Sequence, residues 1–194
     1  MLLYGASGHG KVIKEILEAQ KIEVEAFIDD NQDLQWLSGI PVLHHFNGTH
    51  SIIVSIGNNK TRKKIVEQLS CKYLNAIHPS AIVSPSARIG EGTVVMPGAI
   101  INADAIIGKH CIVNTGASID HECVIGDYSH IAPHASLCGQ VRIGEGTLIG
   151  VGASVIPCIS IGKWSVIGAG STVIEDISDS VIAVGIPAKV IKSN

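Results

Sequence analysis

A six-residue pattern of hydrophobic and polar positions runs without insertion through residues 77–178. In all 17 of these hexads the first position is Ile, Val or Leu, and in 14 the fifth is Ala, Ser, Thr or Cys. Self-similarity at a fixed short period is typical of a stacked repeat rather than of an ordinary core. The pattern therefore predicts a parallel β-helix, in which one hexad forms one flat side and three hexads form a triangular coil.

The same pattern predicts how successive coils stack. Residues three hexads apart lie above one another at about 4.8 Å, the ordinary distance between paired strands. The aliphatic first position points inward, and the small fifth position fits the crowded part of each coil. Periodicity alone does not fix the hand of the coil. The usual crossover rule for parallel strands would favour a right-handed coil.

Residues 1–76 follow another pattern, with short apolar strands alternating with helical segments. "MLLY", "VEAFIDD" and "SIIVSIGNN" are predicted strands, and "KVIKEILEAQ" and "KTRKKIVEQL" are predicted helices. In the first helix, Val12, Ile13, Ile16 and Leu17 are predicted to share the apolar face. The alternation predicts a small α/β, Rossmann-like domain with a parallel sheet. We therefore expect two domains, residues 1–76 and 77–194.

Polar and glycine-rich turns follow the predicted strands of this first domain. "GASGHG" departs from the dinucleotide fingerprint, but amides at the start of a helix still suit an anion such as a diphosphate. Asp29 and Asp30 end the second strand, where an acid can bind a ribose or a base. A tight strand-to-helix turn without a ligand is the alternative. About 76 residues is short for a complete dinucleotide fold, so we expect one nucleotide with something attached, such as a nucleotide-sugar.

Composition narrows the function classes further. The net charge of −3 gives no electrostatic reason to expect nucleic acid, and no apolar run reaches membrane-spanning length. The amino-terminal segment lacks the features of a signal peptide, and the five cysteines include no CxxC pair. These features favour a cytoplasmic, reduced protein. The flat, sparsely charged sides of the predicted prism favour burial against neighbouring copies.

His121 is the strongest candidate for chemistry on the prism. It occupies the third position of its hexad, and the equivalent positions one coil before and one coil after it hold the small residues Ala103 and Gly139. Asp120 and Glu122 flank it, and a histidine in a cleared niche beside an acid makes a good general base. The alternative is a solvated histidine in the wall.

The other solenoid histidines do not stack on His121. His130 lies half a coil further on, so a shared site would need His130 from an adjacent subunit. This spacing is the basis of our hypothesis of an active site at a subunit interface. His78 and His110 are expected to be exposed or interfacial. Because no two histidines among His110, His121, His130 and His134 are separated by a whole coil, we predict no metal site, although zinc remains the competing use.

Several motifs together resemble one family over the whole chain. "YGASGHGKV", "FIDD", "IGNNKTRKKI", "NTGASIDHECVIGDYSHIAPHA" and "VGIPAKVI" look like the PglD/NeuD-type bacterial sugar acetyltransferases. The resemblance implies a left-handed β-helix, acetyl-CoA as co-substrate without a metal, and a homotrimer. It also implies N-acetylation of a UDP-4-amino-sugar in PglD-type members, or O-acetylation of sialic acid in NeuD-type members.

The resemblance also implies roles for particular residues. His121 is the general base, Glu122 orients it, and His130 contacts the thioester region of acetyl-CoA. Val151 and Ala169 lie along the pantetheine arm. The remaining set contacts the nucleotide-sugar: Ser7, Gly8, His9, Asp29, Asp30, Gly57, Asn58 and Asn114.

Three functions follow from these observations. The first is acetyl-CoA-dependent N-acetylation of a nucleotide-activated 4-amino-sugar, of the UDP-4-amino-4,6-dideoxy-hexose type, by direct attack on the thioester. The second is O-acetylation of sialic acid or a related sugar. The third is a trimeric β-helix that serves as a binding or scaffold module without catalysis.

Overall fold

The computed structural model describes residues 1–46, 48 and 50–194. The first part is a five-stranded sheet with two helices. Its elements are β1 (Leu2–Tyr4), α1 (Gly8–Ala19), β2 (Ala26–Ile28), β3 (Trp36–Leu37), β4 (Ile40–Leu43), β5 (Ile52–Val54) and α2 (Asn59–Gln68). The strand order is β3-β4-β2-β1-β5. All pairs are parallel except β3–β4, so the carboxyl ends of β1, β2 and β5 lie at one edge. The α/β prediction is confirmed.

Two details of this part differ from the sequence prediction. The buried side of α1 carries Gly10 with Ile13, Ile16 and Leu17, whereas Val12 is 37% exposed. A Cβ at position 10 would lie 2.5 Å from the Gly5 carbonyl oxygen, so the helix packs directly on the turn before it. The β3–β4 hairpin was not predicted, because its two short strands carry no clear alternation.

The second part is a parallel β-solenoid with three faces. The first face holds β6 (Ala76–Ile77), β9 (Val94–Val95), β12 (Ile112–Val113), β15 (His130–Ile131), β18 (Leu148–Ile149), β21 (Val166–Ile167), β23 (Val181–Val184) and β24 (Lys189–Ser193). The second holds β7 (Ile82–Val83), β10 (Ile100–Ile101), β13 (Ser118–Ile119), β16 (Ser136–Leu137), β19 (Ser154–Val155) and β22 (Thr172–Val173). The third holds β8 (Arg88–Ile89), β11 (Ile106–Ile107), β14 (Val124–Ile125), β17 (Arg142–Ile143) and β20 (Ser160–Ile161). We retain residues 1–76 and 77–194 as the proposed division into domains.

The solenoid confirms the predicted stacking. Each coil pairs with the next in the register of three hexads, as in Ile112 with His130 and Val113 with Ile131. The first hexad position is the inward residue of each short strand, and it forms one continuous apolar core along the prism. Hydroxyls at the buried fifth position are satisfied internally: Ser129 donates to the Gly144 carbonyl at 2.9 Å.

One column on the outside of the first face joins the two parts. The outward residues Ala76, Val94 and Ile112 are buried and pack in one cluster with Ile13 of α1. The next residue of this column is His130. Because α1 covers the three apolar positions, the carboxyl edge of the first sheet lies beside His130, the first polar position of the column.

A single buried arginine fastens this junction. Arg62 of α2 is 1% exposed. It donates to the carbonyl oxygens of Ile56 at 2.8 Å, His110 at 2.8 Å and Tyr128 at 2.7 Å, and to Asn59 Oδ1 at 2.8 Å. Burial lowers its pKa to about 10, which leaves the guanidinium charged at neutral pH. One side chain thus ties the turn after β5 to two turns of the solenoid.

His110 lies inside the same junction rather than on the surface. It is 3% exposed, its ring stacks on Tyr128 at 5.4 Å, and it meets the edge of Tyr73 at 4.6 Å. Gly92 gives it room, since a Cβ there would overlap the imidazole. Burial lowers the pKa of His110 to about 4. Of the two predicted environments, exposed or interfacial, His110 therefore has the interfacial one, because the first domain covers this corner.

Within the described ranges, neither α1 nor α2 has the length and apolar character needed to span a bilayer.

We expect Arg62→Met to lower the free energy of unfolding by about 3 kcal/mol, because several buried carbonyl oxygens lose their donor. Chemical denaturation at pH 7.5 measures the change. Lys64→Met, on the same helix, is the matched control and should leave stability near the wild-type value. Equal stability of the two variants would contradict the bracing role of Arg62.

Candidate active site

Three turns meet at the carboxyl edge of the first sheet. They follow β1, β2 and β5, and they carry most of the residues predicted to contact a nucleotide-sugar. Parallel strands place such turns together, and crevices at this edge are the usual ligand sites of α/β sheets. The edge is therefore the candidate nucleotide site.

The glycine-rich turn is shaped for close approach to a ligand. Gly5 has a φ of 114°, and a Cβ there would lie 2.5 Å from the Ile56 side chain. Gly8 has no neighbour within 4 Å of such an atom, so it faces open space. Ser7 precedes α1 without forming a side-chain cap. Its hydroxyl does not compete for the amides at the start of this helix, which suit an anion.

The two acids after β2 have different surroundings. The Asp29 carboxylate accepts hydrogen bonds from the backbone amides of Ala6 at 2.8 Å and Asn31 at 3.0 Å. Asp29 thus braces the glycine turn. Asp30 is exposed and accepts from the Tyr4 hydroxyl at 3.3 Å. Of the two acids predicted to contact the nucleotide, Asp30 is the more accessible to a ligand.

A buried serine was missed in the sequence. Ser55, at the end of β5, donates its hydroxyl toward the carbonyls of Gly5 at 2.7 Å and Tyr4 at 2.9 Å. It connects the turns after β1 and β5. Only its position at the carboxyl end of a buried strand signalled this role.

His9 and His130 lie close enough to Arg62 for its charge to act on both imidazoles. The Asn114 amide nitrogen lies 2.9 Å from Nε2 of His130, so Nε2 is the acceptor and Nδ1 carries the proton. Burial, then the charge of Arg62, lowers the pKa of His130 to about 3 and the pKa of His9 to about 4. Gly57 makes a backbone hydrogen bond with His130. Both imidazoles are therefore neutral at physiological pH, and His130 is a weak proton acceptor.

A cavity of about 210 Å³ opens beside His130, between the start of α2 and the first face. Gly57, Asn58, Lys60 and Trp164 are among its lining residues. The Asn58 side chain also caps α2, because its oxygen accepts the Thr61 amide at 2.9 Å. The predicted residues Gly57, Asn58 and His130 thus share one cavity.

His121 lies elsewhere, in the turn between β13 and β14, where the second face meets the third. Its Nδ1 is 3.2 Å from a Glu122 oxygen, and its backbone amide donates to Asp120 at 2.8 Å. A Cβ at Gly139 would lie 2.6 Å from the ring, so this glycine keeps the niche open. The side chain is 54% exposed, and within the described chain Nε2 has no hydrogen-bond partner. The geometry suits a base whose Nε2 faces a ligand.

Val151 and Ala169 occupy exposed turns after β18 and β21. The Gly170 amide donates to the Val151 carbonyl at 2.8 Å, which stacks the two turns directly. One chain therefore brings the nucleotide-edge residues together with His130 and Asn114. It leaves His121 and Glu122 at another corner of the prism.

Over residues 1–46, 48 and 50–194, no three His, Cys, Asp or Glu side chains are arranged to hold a metal ion.

Comparison with known families matches both parts of the chain. Residues 1–69 match the family described as the PglD N-terminal domain. Residues 86–121, 104–139 and 140–175 match the bacterial transferase hexapeptide family of six repeats.

Named relatives agree with these matches. UDP-N-acetylbacillosamine N-acetyltransferase of Bacillus subtilis (strain 168) is 47% identical over 107 residues, which are 48% of this chain and 50% of that protein. The alignment thus spans about half the length of this curated relative. PerB from Caulobacter crescentus, solved in complex with CoA and GDP-perosamine, is 42% identical with a TM-score of 0.92, covering 98% of this chain and 96% of that one.

A second solved structure gives the same result. The acetyltransferase domain of PglB from Neisseria gonorrhoeae FA1090, in complex with acetyl coenzyme A, is 36% identical with a TM-score of 0.91, and 98% of each chain is covered. Both domains are matched in the same order along nearly the whole chain. The chain belongs to the PglD-type family of bacterial hexapeptide-repeat sugar acetyltransferases.

Proposed function

We propose that this protein transfers the acetyl group of acetyl-CoA to the amino group of a nucleotide-activated sugar. The observation that carries the proposal is the junction, where a nucleotide-type edge opens onto the solenoid wall at His130 and Asn114. Support comes from the Caulobacter relative, which holds CoA and GDP-perosamine, and from the name of the Bacillus relative. We also propose a cytoplasmic location for the enzyme.

The acceptor in this proposal is a UDP-4-amino-4,6-dideoxy-hexose. The name of the Bacillus relative supports uridine. The GDP-sugar in the Caulobacter structure supports a base that varies within the family, so the residues near Asp30 decide the choice. Free sialic acid as acceptor would leave the glycine turn and Asp30 without a ligand, and we rank it second.

The geometry of His121 supports the following chemistry, which is part of the proposal. The neutral 4-amino group attacks the thioester carbonyl, and His121 Nε2 takes the ammonium proton as the C–N bond forms. The tetrahedral intermediate then collapses with loss of the CoA thiolate, which receives the proton from His121. Glu122 holds Nδ1 and favours the imidazolium that forms in between. No acyl-enzyme is required, because proximity and base catalysis are sufficient.

The complete site is proposed to lie between two subunits of a homotrimer. His121 and Glu122 come from one subunit, and His130 with the nucleotide edge comes from its neighbour. Val151 and Ala169 would then line the pantetheine arm between prisms. The separation of His121 and His130 on one chain supports this arrangement.

We expect His121→Ala to reduce kcat about 10²- to 10⁴-fold, the usual scale for loss of a general base. Release of the CoA thiol from acetyl-CoA and the amino-sugar measures the rate. His78→Ala, in a turn of the first coil, serves as the control. Near-normal turnover by the His121 variant would remove it from the mechanism.

Nucleotide choice is tested with UDP-, GDP- and dTDP-linked 4-amino-sugars and with sialic acid. We expect the UDP-sugar to give the highest kcat/KM. Asp30→Ala should raise its KM about tenfold with kcat nearly unchanged, because a binding contact common to substrate and transition state is lost. Asp33→Ala is the control, at an exposed acid nearby. A GDP-sugar preferred by the wild-type enzyme would overturn the uridine assignment, and preference for sialic acid would overturn N-acetylation.

Subunit complementation tests the shared site. His121→Ala and His130→Ala chains, each inactive alone, are unfolded together and reassembled at equal amounts. Sites between subunits should regain about a quarter of wild-type activity, because random mixing pairs the two intact histidines in about a quarter of interfaces. Absence of recovery in reassembled trimers would place both histidines in the site of one chain.

A further inference from the structure

A column of polar side chains rises from Glu122 along the corner between the second and third faces. Glu122, Gln140 and Cys158 occupy equivalent turn positions in three successive coils, with φ values of 58°, 63° and 63°. Backbone bonds stack these turns, since the Gln140 amide donates to the His121 carbonyl at 2.9 Å and the Cys158 amide to the Gly139 carbonyl at 3.0 Å. The column is therefore built on the ladder of the solenoid.

The side chains of the column form one directed series of hydrogen bonds. The Cys158 thiol donates to Oε1 of Gln140 at 3.3 Å. Nε2 of Gln140 donates to Oε2 of Glu122 at 2.8 Å, and the same oxygen lies 3.2 Å from Nδ1 of His121. Because the thiol is next to the amide oxygen, the amide nitrogen is turned toward the carboxylate.

This arrangement fixes a carboxylate that would otherwise be free. The Glu122 side chain is 54% exposed, and an exposed glutamate samples many rotamers. The bond from Gln140, followed by that from His121, lowers the pKa of the Glu122 carboxyl. Gln140, Glu122, Arg142 and Cys158 also line one open depression of about 320 Å³. The wall itself needs no amide side chain at position 140, since the backbone bonds already stack the turns.

We propose that Gln140 is a positioning residue for the catalytic base: it holds the Glu122 carboxylate so that Nδ1 of His121 keeps its proton and Nε2 faces the acceptor amine. This inference rests on the proposed function of His121. Cys158 orients the amide from the coil above, and Gln140 does not touch the reacting atoms.

The first test compares Gln140→Met with wild type and with Gln68→Met, the same chemical change on the exposed end of α2. Methionine keeps the length of the side chain and removes the donor. We expect kcat to fall about 10- to 100-fold, the scale of a small misplacement of a catalytic group. KM for both substrates should stay within about twofold. A merely structural role would instead lower the melting temperature with little change in kcat.

The second test exchanges donor and acceptor. In the Glu122→Gln variant the introduced amide oxygen can still accept from His121, whereas in Gln140→Glu the column loses its donor and places two carboxylates together. When the two substitutions are combined, the amide at position 122 donates to the carboxylate at position 140, and its oxygen accepts from His121. We therefore expect the double variant to be at least about tenfold more active than Gln140→Glu alone, against the additive expectation of a further loss.

The outcomes separate this inference from the proposed function. The positioning role of Gln140 is wrong if His121→Ala is inactive while Gln140→Met has wild-type kcat. It is also wrong if the effects of the two single substitutions multiply in the double variant. In both cases the proposed role of His121 as the base is unaffected. If His121→Ala keeps full activity, the proposed function of His121 fails first. The expected fall in kcat with rescue in the double variant supports both.

Discussion

Backbone hydrogen bonding between residues one full coil apart holds each coil of the solenoid on the one below it, and the other features of the molecule depend on that register. It sets inward residues on inward residues, so the core is continuous without large aromatics. It also repeats every turn position at a fixed spacing of about 4.8 Å. A polar side chain in one turn therefore has its neighbours chosen by the coils above and below. The niche of His121 and the column through Gln140 are consequences of the same ladder.

The register alone does not place the carboxyl edge of the first sheet beside the solenoid. That placement depends on an apolar patch on the first face, which α1 covers, and on Arg62, which donates hydrogen bonds to carbonyl oxygens of both parts. A buried guanidinium without a carboxylate partner costs desolvation free energy, and its hydrogen bonds to carbonyl dipoles offset that cost. Burial is the largest cause of the low pKa of His9 and His130, and the positive charge of Arg62 is the second. The junction is therefore both a structural clamp and an electrostatic setting for the candidate site.

The sequence predicted the solenoid, the α/β sheet and its polar edge, because periodicity and strand-end turns are local signals. It did not predict the β3–β4 hairpin, whose strands are short and carry no clear alternation. Nor did the sequence indicate that Arg62 is buried, because it is one of several cationic residues in a helix whose pattern is typical of a solvent-exposed helix. The sequence left His110 between an exposed and an interfacial position, because only the tertiary packing of the first domain buries that corner. Burial by a distant segment leaves no periodic trace, and for that reason the junction was the least predictable part.

His121 and His130 have opposite environments, and this difference supports the division of roles between them. A general base needs a pKa near the working pH and access to the proton it removes. His130, with a pKa of about 3 and both ring nitrogens engaged, fits neither requirement. His121 is half-exposed, has Nδ1 beside a carboxylate, and leaves Nε2 without a partner in the described chain. These environments favour His121 over His130 as the proposed proton acceptor, and they fit a proposed role for His130 as part of a neutral, desolvated wall of the site.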